Sequence, residues 1–518
     1  MDSSTHRLMD RLGPWSTDQV TLAIVAAISL CVLSAVGLGI YRIWFHPLSV
    51  FPGPKHLAVT NLSEQWKSHV IGNWIYEVAD LHRRYGPIVR TGPNRIALDG
   101  SIGWPQVFAH KPGMPEFTKC PDFMFKGDSQ SLIGSCSTES HRRQRRTLAH
   151  AFSDAALKEQ EAIITKYIDL LLNQLGKHAE SGDSINIVDW LNFTTFDIIG
   201  DLTFSDSFHS LEGGGYAPFV RNFFRGLRGV ARQRLITFYP LLTTVIYFMF
   251  GNTDFVIEQE TREMAMSKAQ SRMAFGAEPK DGRRDVSSYM LAKDRDGNKK
   301  LTDHEILVNS PVLVVAGSET TATALSGFTF YVGSNPIVYE RLAREVRETF
   351  KEESEINMNS AGRLEYLHAV LEETLRVYPP AAETPPRISP GAYIEGKWIP
   401  KGTYCSVYQW ATFRNPENFA NPDSFVPERW LPASHPLHDP IYLNDNKAVF
   451  KPFSFGSRDC IGKNLAYSEM RVVAARLMHR FDFELAPGQE KWHKSQHTFV
   501  VWSKGALNVH LRPRTKAN

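Results

Sequence analysis

The chain has 518 residues, of which 42% are hydrophobic and 22% charged, and its formal net charge is +3. These are the proportions of an ordinary globular protein, and they exclude a disordered chain, a multi-span membrane protein and a nucleic-acid binder working through bulk positive charge. The five cysteines (Cys31, Cys120, Cys136, Cys405 and Cys460) stand far apart with no C-x-x-C pair, which argues against a disulfide framework or a zinc site and leaves any cysteine chemistry to one thiol acting alone.

Residues 20–41 carry no charge and are enough to cross roughly 30 Å of hydrocarbon as a helix. The run is longer than the apolar part of a cleaved signal, and no small-residue cleavage site follows before Arg42 and Trp44, so it reads as a retained anchor. Arg7 and Arg11 precede it and Arg42 and Lys55 follow, so charge does not fix its orientation. Phe51-Pro52-Gly53-Pro54 reads as a stiff elbow. The organisation expected is a short segment 1–19, an anchor 20–41, a linker 42–54 and one catalytic unit 55–518, with no flexible linker to divide it.

Helical periodicity is clearest at 154–175, 303–333, 336–350, 362–378 and 463–480. Short strands are expected at 88–90, 96–98, 393–394, 404–407, 497–501 and 507–511. The basic segment 141–146 reads first as a solvated helix face, and Glu139 with Arg142 as an exposed pair worth at most about 1 kcal/mol. The apolar stretch 235–250, interrupted by Pro240, is too short to span a membrane and suits either the core or contact with a membrane surface. The charged stretch 281–300 reads as an exposed connection.

The long helix at 303–333 opens with a capping box from Thr302 to Glu305. Inside it, Ala316-Gly317-Ser318-Glu319-Thr320-Thr321 is a poor helix former, expected to loosen the hydrogen-bond ladder and free groups to hold a water. Pro311 is expected to cost about 3 kcal/mol or to kink the helix. Glu373 and Arg376 fall on one face of an apolar helix stopped by Pro379-Pro380, so they are expected to be buried and paired. Near the end, Phe453-Ser454-Phe455-Gly456-Ser457-Arg458-Asp459-Cys460-Ile461-Gly462 puts one cysteine at a Gly-rich turn before a helix. A helix start favours thiolate, and flanking glycines allow close approach of a flat, bulky group. On these residues alone, a buried inert thiol is the other reading.

This last segment resembles the cysteine loop of the cytochrome P450 family, F-x-x-G-x-R-x-C-x-G, matched at Phe453, Gly456, Arg458, Cys460 and Gly462. By that resemblance Cys460 is the axial ligand of a haem b iron. The E-x-x-R pair and the P-E-R-F-like Pro427-Glu428-Arg429-Trp430 then correspond to a structural ion network of Glu373, Arg376 and Arg429. The A-G-x-E-T-T stretch corresponds to the distal haem wall, where Glu319 and Thr320, next to Gly317, help deliver protons to iron-bound dioxygen. The family's W-x-x-x-R propionate pair falls on His141 and Arg145, with histidine in place of tryptophan. Arg458 and Arg387 are further propionate candidates, and Phe453 lines the cofactor. Runs such as Phe45-His46-Pro47-Leu48 look like the fungal secondary-metabolism branch, similar to isotrichodermin C-15 hydroxylase.

The resemblance implies a mainly α-helical fold with a small β lobe, preceded by one transmembrane helix. It implies insertion of one oxygen atom into an apolar small molecule, of polyketide, terpenoid or alkaloid type, with electrons from an NADPH-dependent reductase. Arg142, Arg143, Arg146, Lys463 and Arg471 would form a cationic face for that partner. A single-pass location in the endoplasmic reticulum, with the catalytic domain in the cytosol, would follow; no nucleic acid is involved. Substrate contacts are expected from 107–133, 205–250 and 381–384. Two other classes share the cysteine: a haem-thiolate isomerase or dehydratase, with no need of an oxygen-activating acid and threonine, and a non-catalytic haem sensor, with no need of an anchor or a basic proximal helix.

Overall fold

The computed structural model describes residues 16–121, 130–135, 137–278, 282, 284–499 and 501–514. In chain order, the helices that position the site are α1 (Thr17–Ile40), α2 (Thr138–Leu148), α3 (Ile187–Phe204), α4 (Pro218–Phe238), α5 (Asp303–Gly333), α6 (Glu365–Val377) and α7 (Lys463–Arg480). The strands that matter are β1 (Ile88–Gly92), β2 (Arg95–Leu98), β3 (Thr118–Lys119), β4 (Arg387–Ile388), β5 (Tyr404–Val407), β6 (His497–Phe499) and β7 (Val501–Ser503). The fold is mainly helical with small sheets, as the periodicity predicts. The largest sheet runs β1-β2-β5-β4-β3; β2 and β5 are parallel with Ile96 opposite Cys405, and the other pairs are antiparallel.

Helix α5 is the axis of the molecule. Its capping box forms as expected: the Thr302 hydroxyl accepts from the Glu305 amide at 3.1 Å, and Glu305 accepts from the Thr302 amide at 2.9 Å. From Ala322 to Val332 every residue is buried, against α3 and α6 among others. Pro311 lies inside the helix without ending it, and the ladder continues unbroken through Ala316–Thr321. The expected loosening there is absent: Ser318 and Thr320 donate to the carbonyls of Val314 and Ala316 one turn back, at 2.6 and 2.7 Å, without opening the helix.

Helix α1 is exposed over almost its whole length and continues through a π turn, Tyr41–Phe45. It is the one helix among the described residues that is long and apolar enough by itself to cross a membrane. The elbow after it is docked rather than free. Phe51 is buried, Pro52 accepts from the Arg90 amide at 2.7 Å, and a Cβ on Gly53 would fall 2.4 Å from the Arg90 carbonyl oxygen.

The apolar stretch 235–250 resolves into the end of α4, a turn at Pro240–Leu242 and a short helix, Thr243–Phe250. Leu235 and Ile246 are buried, but Leu241 is 96% and Phe248 90% exposed. Core burial therefore does not account for this stretch. The 281–300 stretch, expected only to connect, holds a helix at Val286–Leu291. Its cap Asp285 is gripped by buried Arg272 at 2.7 and 2.9 Å, a long-range pair invisible to local periodicity.

Candidate active site

The cysteine loop is shaped by backbone crowding. Gly456 has φ +85°, and a Cβ there would lie 2.0 Å from the carbonyl oxygen of Phe108. Only glycine fits such an approach. Ser454 also takes a left-handed conformation, φ +62°. The Cys460 amide donates to the Phe453 carbonyl at 2.9 Å, closing the loop, and the Phe453 ring packs at a tilt against Tyr467 of α7, centroids 5.0 Å apart. The cysteine is hemmed in on most sides, yet its side chain is open to solvent-sized space.

The charge balance at the sulfur differs from the expectation drawn from the helix start. Burial pushes the thiol up and Asp459 adds to this, outweighing a hydrogen bond from the Gly462 amide and the charges of Arg145 and Lys463. The helix terminus does not by itself make a thiolate; a bound cation at the sulfur would.

Helix α5 turns a stripe outward at Val312, Ala316 and Thr320, the first and last partly exposed and Ala316 exposed, whereas Ser318, Glu319 and residues 321–332 are buried. The Thr320 hydroxyl donates to the Ala316 carbonyl at 2.7 Å. Gly317 is explained by packing, since a Cβ there would meet Ile199 of α3 at 2.8 Å. Glu319 turns away from the stripe. It is fully buried, paired with Lys504 beyond β7, and accepts from Thr323 at 3.1 Å. Lys504 has no sequence signal linking it to α5.

Around His141 and Arg387, four cations (Lys119, Arg145, Arg387 and Arg458) meet two carboxylates, Glu116 and Asp459, among the described residues. The sequence-predicted propionate candidates are brought together, but not as equals. Arg458 donates to Glu116 at 2.8 Å and to the Ser135 carbonyl at 2.8 Å. Burial opposes ionisation of Glu116, yet Arg458, Thr138 and Ser457 hold its carboxyl down to about 2. Arg145 is paired with Asp459 and donates to that residue's carbonyl at 2.6 Å. His141 is held down to about 3 by burial and by Lys119, Arg458 and Arg145, so it is a neutral ring.

Arg387 is the exception. It is 4% exposed, and its Nε and Nη1 have no hydrogen-bond partner. Burial and Arg458 lower its guanidinium to about 10, which still leaves it charged at neutral pH. A buried cation with two orphaned donors is costly unless an anion meets it. A buried guanidinium with two orphaned donors, an open thiol and an open helical stripe fit a flat anionic cofactor with an iron atom, as haem b is.

The ion network forms as expected and is larger. Arg376 donates to both oxygens of Glu373, at 2.8 and 2.7 Å, and Arg429 reaches Glu373 at 3.2 Å, all three side chains being fully buried. Burial works against the Glu373 charge, but Arg376, Arg429 and the Val426 amide hold its carboxyl below its usual range. Trp430 donates to Glu373 at 2.9 Å, and Asp445 takes the other end of Arg429 at 2.6 Å. Neither of these two was read from the sequence.

The proposed cationic face is thinner than expected. Arg142, Arg146 and Lys463 are exposed, whereas Arg143 is committed to Glu305 of the α5 cap and Arg471 is half-buried beside His368. The three stretches expected to touch substrate do meet, at a cavity of about 30 Å³ lined by Cys120, Arg234, Phe238 and Glu383. Its other walls include buried Glu64 and Arg95, paired at 3.3 Å. Burial, partly opposed by Arg95, raises Glu64 to about 7. The lining is charged where an apolar substrate suggests an apolar wall.

A family model described as Cytochrome P450 matches residues 52–509. Among curated proteins, the chain is 36% identical over 481 residues to cytochrome P450 monooxygenase astJ of Aspergillus oryzae, covering 92% of this chain and 94% of that protein. It is also 36% identical to cytochrome P450 monooxygenase efuB of Hormonema carpetanum, covering 98% of each chain, and to lcsI of Purpureocillium lilacinum, covering 99% of this chain and 98% of that one.

Proposed function

The chain belongs to the cytochrome P450 family of haem-dependent monooxygenases, and on that premise we propose that it inserts one atom of dioxygen into a largely apolar fungal secondary metabolite with electrons from an NADPH-dependent reductase. The observation that carries the assignment to these residues is the open thiol of Cys460 together with the buried guanidinium of Arg387, two of whose nitrogens have no hydrogen-bond partner.

In this reading Cys460 would hold the haem iron through its sulfur. Arg387 is the main propionate partner, with Arg458, Arg145 and the neutral His141 around it. Haem, when bound, would supply the redox and oxygen chemistry. The protein does the rest: Thr320 holds a proton donor on the open stripe of α5, Glu319 stands behind it, and Gly317 lets α3 and α5 approach. Glu373, Arg376 and Arg429 fix the segment beneath the cofactor.

We assign the organisation 1–19, 20–41, 42–54 and 55–518, with the anchor in the endoplasmic reticulum membrane and the catalytic unit in the cytosol. The exposed Leu241 and Phe248 support a second membrane contact. Their helix is linked to the anchor side through Tyr239, whose hydroxyl lies 3.4 Å from that of Thr60, and Arg42 donates to the adjoining Val59 carbonyl at 2.6 Å.

The reduced carbon monoxide difference spectrum of the membrane-expressed protein tests the site. A Soret band red-shifted by thiolate ligation is expected for the wild type and is expected to be lost in Cys460→Ser. A haem-loaded wild type without that band removes Cys460 as ligand.

A further inference from the structure

Buried charge lines the cavity where the three stretches expected to touch substrate meet. Its wall is drawn from a short helix, Leu62–Trp66, from β2, from the end of α4 and from the residues just before β4. The cavity adjoins the cofactor cradle. Pro386 is part of its wall and accepts from the Cys120 amide at 3.1 Å, and the next residue along the chain is Arg387.

Three lining residues carry polar atoms that are buried and have no hydrogen-bond partner: Glu64 Oε2, Gln65 Oε1 and Arg95 Nε. Glu64 is 3%, Gln65 2% and Arg95 8% exposed. The Arg95 guanidinium is fixed by Glu64 at 3.3 Å and by the rings of Tyr404 and Phe238, whose centroids lie 4.4 and 5.0 Å away. Buried polar groups are as a rule paired, so two acceptors and one donor left open on one wall mark a place for an incoming group.

We propose that this wall recognises an uncharged carboxamide on an otherwise apolar substrate, with Glu64 Oε2 and Gln65 Oε1 each accepting one N–H and Arg95 Nε–H donating to the carbonyl. The inference rests on the monooxygenase reading and narrows its substrate to amide-bearing molecules. The count fits, because a primary amide brings two donors and an acceptor carbonyl. The size fits as well: a volume of about 30 Å³ admits roughly two water-sized groups, and the amide oxygen and nitrogen are two. The apolar body of the substrate would lie outside the cavity, toward the cradle.

Charge argues against other heads. Two guanidiniums, Arg95 and Arg234, already face two carboxyls, Glu64 and Glu383, and burial works against the charge of both acids. His69 in the same wall is held neutral by burial and by Arg234 and Arg95. A carboxylate or ammonium head would add an unbalanced charge to this set, whereas an amide meets the open atoms and adds none.

Decanamide, N,N-dimethyldecanamide and decanoate share a tail and differ in the head, and equilibrium dialysis against the full-chain holoenzyme measures their binding without turnover. Wild type is expected to bind decanamide about tenfold tighter than the dimethylamide, which keeps the carbonyl but has no N–H to donate. Decanoate is expected to bind no better than the dimethylamide. Gln65→Leu and Glu64→Gln each remove one open acceptor, and each should cut the amide preference to about threefold or less. A variant damaged in its fold would weaken all three probes alike, so the ratio is the readout. Equal binding of the two amides by wild type, the result if ordered water alone fills the cavity, overturns the proposal. A full amide preference in both variants does the same. Decanamide should also shift the haem Soret band over the concentration range in which it binds, because the cavity adjoins the cradle; binding without that shift counts against a substrate role. Amide preference by dialysis in a wild type that lacks the thiolate carbon monoxide band would instead remove the monooxygenase reading and leave amide recognition standing.

Discussion

Asp445 Oδ2 lies 2.6 Å from Arg429 Nη1, and neither side chain is exposed. Without Asp445, Arg376 and Arg429 would share the single carboxylate of Glu373, an arrangement with one buried positive charge too many. Asp445→Ala is expected to cost about 3–5 kcal/mol. Asp445→Asn should cost less, because its carbonyl still accepts. Loss of the thiolate Soret signal on urea titration measures both.

Gly456→Ala is expected to abolish correct haem loading while leaving the remote helices folded. The added methyl carbon would fall 2.0 Å from the Phe108 carbonyl and would need a left-handed backbone at φ +85°. The ratio of carbon monoxide band to total bound haem should collapse, with far-ultraviolet circular dichroism near wild type.

Arg387→Leu removes the one propionate candidate with unpartnered nitrogens. A charge-assisted hydrogen bond is worth about 1.5–3 kcal/mol, so haem should leave about ten- to a hundredfold faster. Transfer of haem to an acceptor apoglobin gives the rate. Arg145→Leu should have the smaller effect on this rate, because Asp459 already takes its charge.

Glu469, buried on α7 and hydrogen-bonded to Thr321, is raised by burial to about 8. The folded protein therefore holds a proton that the unfolded chain has released between about pH 4.5 and pH 8, so stability falls as pH rises through this window. Glu64, raised to about 7, adds to the same trend. Glu469→Gln should flatten it, with a higher melting temperature than wild type at pH 8.5. Melting curves at pH 5.5 and 8.5 supply the comparison.

Phe248, at 90% exposure, is expected to enter the lipid. In vesicles holding the full chain, Phe248→Trp should show emission quenched by lipids brominated on their acyl chains, more strongly than Phe275→Trp at a second exposed position. Equal quenching at the two positions would contradict the second membrane contact.

Much of this was legible locally. The limits of α5 follow from the Thr302–Glu305 capping box and from a glycine before a polar turn, and α7 begins where the Gly-rich loop ends. The Glu373–Arg376 pair could be read because three residues along a helix are neighbours in space. Asp445 and Lys504 could not, because they arrive from loops with no periodicity and only tertiary packing brings them to their partners. The same limit hid the commitment of Arg143 to Glu305 and of Arg458 to Glu116. A run of arginines shows its charge, not which charges are already cancelled. The apolar stretch at 235–250 showed its length and composition, but its outward-facing residues emerged only with the fold.

The docked elbow has a mechanical meaning. Arg90 donates to the Arg42 carbonyl at 2.7 Å and to the Pro93 carbonyl at 2.8 Å, clamping the π turn that continues α1 to the strand that pairs with β2. Strand β2 begins with Arg95, in the wall of the charged cavity. A force on α1 would thus pass into β1 and β2 through a stiff handle rather than be lost in a tether.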